Sequence, residues 1–215
     1  MTYDKDFKDA ISNLPEKEKD KLILRLLKRD LDLTNQLYFE LVSGDTQQSR
    51  RAKAIKKIEF YTEYFKKSEN ISIYFTPGVL MMYMRDTSGI INDHVKITKD
   101  KYGEIALSIF AMKEFLQIYI THFQDYDFKK SNKFNTYLVA RAYKIMVLLK
   151  KQHEDIIFDF TDDLEKIGHL FGQMPSLMKV AIYNGFDVNW LIQNTIPDNI
   201  ADIEKDLRQR GYLKS

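Results

Sequence analysis

Residues 100 to 123 read DKYGEIALSIFAMKEFLQIYITHF, and this stretch decides the fold. Wound as a helix, Ile105, Leu107, Ile109, Phe110, Met112, Phe115, Leu116, Ile118, Tyr119 and Ile120 cover most of the circumference. What remains is a narrow polar stripe, mainly Lys113, Glu114, Gln117 and Thr121. A helix that is apolar nearly all round is a buried one, so it needs other helices to bury it. The expected partner runs over residues 132–152, capped by Ser131, with Phe134, Leu138, Ile145, Val147 and Leu148 inward. The half-dozen residues between the two suit a helix–helix turn.

Working outward, Pro15, Pro77, Pro175 and Pro197 each precede a segment of helical periodicity, where a missing N–H costs nothing. Gly44, Gly185 and Gly211 follow such segments, as left-handed caps do. These marks predict helices near 4–11, 15–29, 31–43, 46–67 and 77–96 before the central pair. A helix near 161–171 and shorter pieces at 175–184, 188–193 and 197–210 follow it. Asp45 is the expected N-cap of the long helix at 46–67, and Asp162 with Glu165 has the spacing of a capping box. Residues 68–76 read as a linker, although Ile71, Ile73 and Phe75 alternate as a short strand would. The prediction is a single all-α domain over 1–215 with a subdivision near 68–76. Its architecture would be an irregular antiparallel bundle of about nine helices, with helical-repeat-like packing as the variant.

At 215 residues the chain is long enough to bury a core without staples. The absence of cysteine removes disulfides, thiolate nucleophiles and cysteine-built metal sites together, and fits a reducing compartment. Residues 1–10 are charged throughout and lack the apolar run of a secretory signal. The longest apolar stretch, 137–149, is broken by Arg141 and Lys144 and is too short to cross about 30 Å of hydrocarbon. A cytoplasmic location without a membrane partner is the expectation.

Net charge is only +2, which argues against a dedicated nucleic-acid coat. The distribution is uneven. Arg50, Arg51, Lys53, Lys56 and Lys57 crowd one helix, whereas the chain beyond His153 is acidic. Arg50, Lys53 and Lys57 fall along one side at i, i+3 and i+7, so they would meet successive phosphates or an acidic partner, with Tyr61 and Tyr64 further along as stacking surfaces. Docking onto the chain's own acidic C-terminal region accounts for the same charges. The run Leu80, Met81, Met82, Tyr83, Met84 reads as domain interior or as an adaptable groove for a partner helix.

Catalytic patterns fail one after another. None of the eleven glutamates is followed three residues later by Glu, Asp or His, so the carboxylate pairs of helical di-iron and Mg²⁺-dependent nucleotide enzymes are absent. There is no His-Glu-x-x-His helix, phosphate-cradling glycine loop or Gly-x-Ser-x-Gly elbow. One acidic grouping has helical spacing: Asp159, Asp162, Asp163 and His169, which would hold Mg²⁺ if the side chains converged.

The stretches Leu14-Pro15-Glu16-Lys17-Glu18-Lys19-Asp20-Lys21-Leu22, Leu24-Arg25-Leu26-Leu27-Lys28 and Tyr183-Asn184-Gly185-Phe186-Asp187-Val188-Asn189-Trp190-Leu191-Ile192 resemble an uncharacterised family of bacterial all-helical proteins. Some of its members carry the name of a deoxyuridine triphosphate nucleotidohydrolase. That name implies either a β-sheet enzyme with a glycine-rich, serine-containing phosphate motif or a helical one with paired glutamates. This sequence has neither, so the resemblance brings across no catalytic residue. Two functions stand as expectations. The first is a non-enzymatic helical interaction protein that needs no cofactor and binds an unknown protein partner, or less favourably nucleic acid, through Arg50 to Lys57 or an apolar groove. The second is a metal-dependent, dUTP-type nucleotide hydrolase.

Overall fold

The computed structural model describes residues 3–67, 75–124 and 126–214. Among them are twelve helices and no strand: α1 (Lys5–Ser12), α2 (Glu16–Leu27), α3 (Leu31–Leu41), α4 (Gln47–Lys67), α5 (Pro77–Thr98), α6 (Lys101–Phe123), α7 (Phe128–Leu149), α8 (Glu154–Phe158), α9 (Thr161–Gly172), α10 (Pro175–Tyr183), α11 (Asn189–Ile192) and α12 (Ile200–Gln209). The all-α class holds, but twelve helices replace the expected nine or so. The element with no counterpart among the expected segments is α8, a single turn and a half, whereas α11, expected as a short piece at 188–193, has four residues.

The central helix is where its apolar circumference puts it. Ile105, Leu107, Ile109, Met112, Phe115, Leu116, Ile118 and Tyr119 of α6 are buried, each large side chain contributing about 1.5–3 kcal/mol on leaving water. Helices α4, α5, α7 and α9 surround it. The partner helix α7 begins earlier than its sequence suggests: the Asp127 carboxylate, rather than Ser131, accepts the Lys130 N–H and caps it. Ser131 instead donates back to the Asp127 carbonyl within the first turn. Val147 and Leu148 are only half-buried, while Met146 and Leu149 take the inward positions.

Other ends differ from expectation in the same local way. Thr46 and Ser49 cap α4 reciprocally, each hydroxyl accepting the other's backbone N–H at 3.1 and 3.2 Å, which leaves Asp45 free for another role. Helix α5 continues past Lys96 to Thr98 and stops at Lys99, a non-glycine residue in the left-handed region at φ 54°. No side chain caps α9, so the Asp162–Glu165 box does not form. Pro77 and Pro175 do sit in the first helical turn, and Gly185 and Gly211 take positive φ after α10 and α12.

The subdivision expected near 68–76 falls mostly on residues 68–74, outside the described ones, as does the alternation of Ile71 and Ile73. On either side of them the chain shares one core. Phe65 of α4 stacks on Phe75 with ring centroids 4.5 Å apart, and Phe65 belongs to the same apolar cluster as residues up to Leu213. The N-terminal helices contrast with this: α1, α2 and α3 contain no buried residue. Of the three, α3 is the one packed on α5, and α2 leans on α3. No helix is long and apolar enough to cross a membrane among the described residues.

Candidate partner-binding surface

The five cations singled out in the sequence all lie on α4, but the fold divides their work. Arg51 is turned inward. Its Nε and Nη2 donate to Asp100 Oδ2 at 3.1 and 2.7 Å, and its guanidinium lies 4.9 Å over the Tyr102 ring. Asp100 is buried at 4 % exposure, and its other oxygen caps α6 by accepting the Gly103 N–H at 2.8 Å. His94 Nε2 lies 3.0 Å from the same carboxylate, so against an ionised Asp100 it carries the proton and donates. Burial raises the Asp100 pKa, but the bonds from Arg51, Gly103 and His94 outweigh it and hold the carboxyl below its ordinary range. Glycine is required at 103 because a Cβ there would fall on the Asp100 carboxylate.

Lys53 is also engaged. Its ammonium bonds both oxygens of Asp45 at 2.7 and 2.8 Å, and with Ser49 it lowers the Asp45 pKa. Arg50 is half-buried with its guanidinium 5.6 Å over the Phe39 ring of α3. Lys56 and Lys57 remain exposed. An open cleft of about 390 Å³ runs between α4 and α5, lined by Asp45, Arg50, Lys53, Ala54, Lys57, Ile90, Asp93 and His94. The acids that meet α4 are thus Asp45, Asp100 and Glu114, the last paired with Lys66. They come from before the helix and from the central helix and its cap, and among the described residues none belongs to the acidic C-terminal region.

Aromatic side chains continue the outer face of α4. Phe60 and Tyr64 are exposed at 77 and 69 %, close by Lys56 and Lys57 on the helix surface, whereas Tyr61 packs edge-on against Tyr83. The N-terminal helices, joined to α4 through Arg50 over Phe39, expose Phe7, Ile11, Ile23, Leu24, Leu26, Leu31, Leu33, Tyr38 and Leu41, with Val42 following. Singly exposed apolar residues are ordinary. Nine of them on three consecutive helices that contain no buried residue are a feature of the kind associated with association. The Met-rich run is mainly interior, with Leu80, Met81 and Met84 buried and only Met82 exposed.

The acidic grouping does not converge. Asp163 bonds Lys113 at 2.7 Å, His169 approaches its own Glu165 at 3.4 Å, and Asp159 and Asp162 are exposed. Among the described residues no group of three or more His, Asp or Glu is placed to hold a metal ion. Comparison with protein-family models, with curated proteins and with solved structures finds no match. The surface must therefore be read on its own chemistry.

Two of its features escaped the sequence reading. The Arg51–Asp100–His94 knot joins residues far apart in the chain, and only the cap spacing of Asp100 to Gly103 hinted at it. The unburied N-terminal helices carry alternating charges that disguise their apolar stripe, and nothing local shows that the main core lies elsewhere.

Proposed function

We propose that this chain is a non-enzymatic cytoplasmic interaction protein. It takes as partner a protein segment that folds as an amphipathic helix with acidic flanks. The apolar side of that helix would lie against α1–α3, and its carboxylates would face Lys56 and Lys57. The supporting observation is that α1, α2 and α3 bury none of their residues. Helices of eight to twelve residues are marginal in water without a packed face, and here the face is supplied by a partner. The choice of an acidic segment rests on Lys56 and Lys57, which are exposed and form no ion pair among the described residues.

Single-stranded nucleic acid is the second reading, favoured by Phe60 and Tyr64 exposed beside those lysines as a stacking platform. Partners captured by the wild-type chain would be purified and titrated with three proteins: wild type, Leu24→Asp with Leu41→Asp, and Lys56→Glu with Lys57→Glu. The protein reading expects at least a tenfold loss with the apolar pair and a smaller, salt-dependent loss with the lysine pair. Undiminished binding by the apolar-pair variant overturns it. Affinity for a labelled oligonucleotide that fell with Phe60→Ala and Tyr64→Ala would favour the second reading.

A further inference from the structure

The groove where α5, α6 and α7 meet holds a recess that the partner surface does not use. Its floor is apolar, made by Met84, Met112 and Ile145, and its rim is polar, with Ser88, Asn92, Ser108, Arg141 and Lys144. The inner part has about 20 Å³ of room, enough for one oxygen-sized group. Arg141 is half-buried, and its Nη2 donates to the Tyr137 hydroxyl at 2.7 Å. Among the described residues it has no carboxylate partner, and neither does Arg85, which lies over the same Tyr137 ring. Among the described residues the one hydrogen bond of Arg141 goes to a neutral oxygen, and a partly buried guanidinium so placed is stabilised when an anion completes it.

The hydrogen-bond order reinforces this. Ser88 donates to the Met84 carbonyl at 2.9 Å, so the Tyr137 hydroxyl, 3.3 Å away, donates to Ser88 while accepting from Arg141. The remaining guanidinium donors of Arg141 meet no acceptor among the described residues. Lys144 stands 3.3 Å from Glu104, the one carboxylate paired at this rim. Counting Arg141 and Lys144 against Glu104 leaves the rim net positive by one, which suits an anion.

We propose that this recess is a phosphate site, taking inorganic phosphate or the head of a small phosphomonoester. Arg141 grips two oxygens, Lys144 and the Asn92 amide meet a third, and the remaining oxygen, protonated or esterified, turns to the apolar floor. The test is calorimetric titration and thermal unfolding of the full chain with inorganic phosphate, glycerol phosphate and acetate, against sodium chloride at matched ionic strength. Saturable binding of either phosphate is expected, with Tm raised by about 5–10 °C at a hundredfold excess over Kd. Tighter binding of the ester would identify the phosphomonoester as the natural source, and tighter binding of the free ion would identify phosphate itself. Arg141→Gln should weaken Kd at least tenfold, Arg141→Lys several-fold through loss of the planar fork, and Lys205→Gln, at an exposed site on α12, not at all. Circular dichroism would check that each variant is folded, and Lys144→Gln gives an independent arm if Arg141→Gln is not. No saturable binding, equal binding of acetate, or an unchanged Kd in folded Arg141→Gln overturns the site.

Discussion

Replacing Asp100 by alanine is the most informative single test of how this fold is held. One buried carboxylate caps α6, accepts two bonds from Arg51 and faces His94. Removing one member of a buried ion pair costs about 3–5 kcal/mol because the other charge is left uncompensated, and losing an N-cap costs about 1 kcal/mol. These overlap, since the same carboxylate does both, and the Arg51 side chain is 21 % exposed and can recover some hydration. The expected loss is therefore about 3–4 kcal/mol at pH 7, measured by urea unfolding. It corresponds to a fall in Tm of roughly 6–16 °C for a chain of this size. Asp100→Asn keeps an oxygen for the cap and loses the charge, and should cost about half as much. Because the folded pKa lies below the unfolded value of about 3.9, the carboxylate's contribution is fully present above pH 4. It is lost as pH falls through the folded pKa, so wild type and Asp100→Asn should converge in stability there. A loss under about 1 kcal/mol for Asp100→Ala at pH 7 would refute the view that this knot fastens α4 to α5 and α6.

The remaining expectations separate core from surface. Leu116→Ala, at a fully buried site of α6, should cost about 2–5 kcal/mol, whereas Leu24→Asp, 60 % exposed on α2, should change monomer stability by less than about 0.5 kcal/mol. Chemical denaturation of the two variants checks both. Gly168→Ala should cost about 1–3 kcal/mol, because a Cβ in α9 would come within 2.5 Å of Ile192 Cγ1 and 3.3 Å of its backbone nitrogen. Its thermal unfolding curve decides this. The Tyr143 phenol, which donates to the Gly185 carbonyl at 2.9 Å, has its pKa raised by burial and then by the Glu204 charge. The unfolded chain ionises there near pH 10 while the folded one does not, so stability should fall as pH rises above 10. Tyr143→Phe should flatten part of that fall, and ultraviolet titration would follow it.

What was legible in the sequence follows from the range of each interaction. The central helix could be read because apolar side chains on nearly every face of residues 105–120 admit one environment. The proline and glycine boundaries at 77, 175, 185 and 211 could be read because they depend on backbone geometry within one turn. Side-chain caps were less secure. Asp45 has the right chemistry for a cap, yet Lys53 two turns on competes for it, and the Thr46–Ser49 pair is closer in register. The candidate surface was legible only as composition. Five cations on one helix are visible in the sequence, but which of them meets an acid depends on Asp100 and His94, some forty to fifty residues away and brought in by the α5–α6 packing.

That division changes how the basic helix must be probed. Reversing all five charges together would remove Arg51 from a buried carboxylate and place a second acid beside it, so any loss of binding would be confounded with a damaged core. Lys53 carries the opposite ambiguity: its partner Asp45 is at the surface, where solvent screens the pair, so its removal alters local charge more than stability. Lys56 and Lys57 are exposed. A reversal confined to them leaves the knot intact, and any change in partner affinity, with its salt dependence, then reports on the surface alone. Stability within ±0.5 kcal/mol of wild type for Lys56→Glu with Lys57→Glu, beside a clear loss for Arg51→Gln, is the outcome that separates the cation holding the fold from those available to a partner. Equal losses in the two variants would mean that α4 works as one electrostatic unit and that no such separation exists.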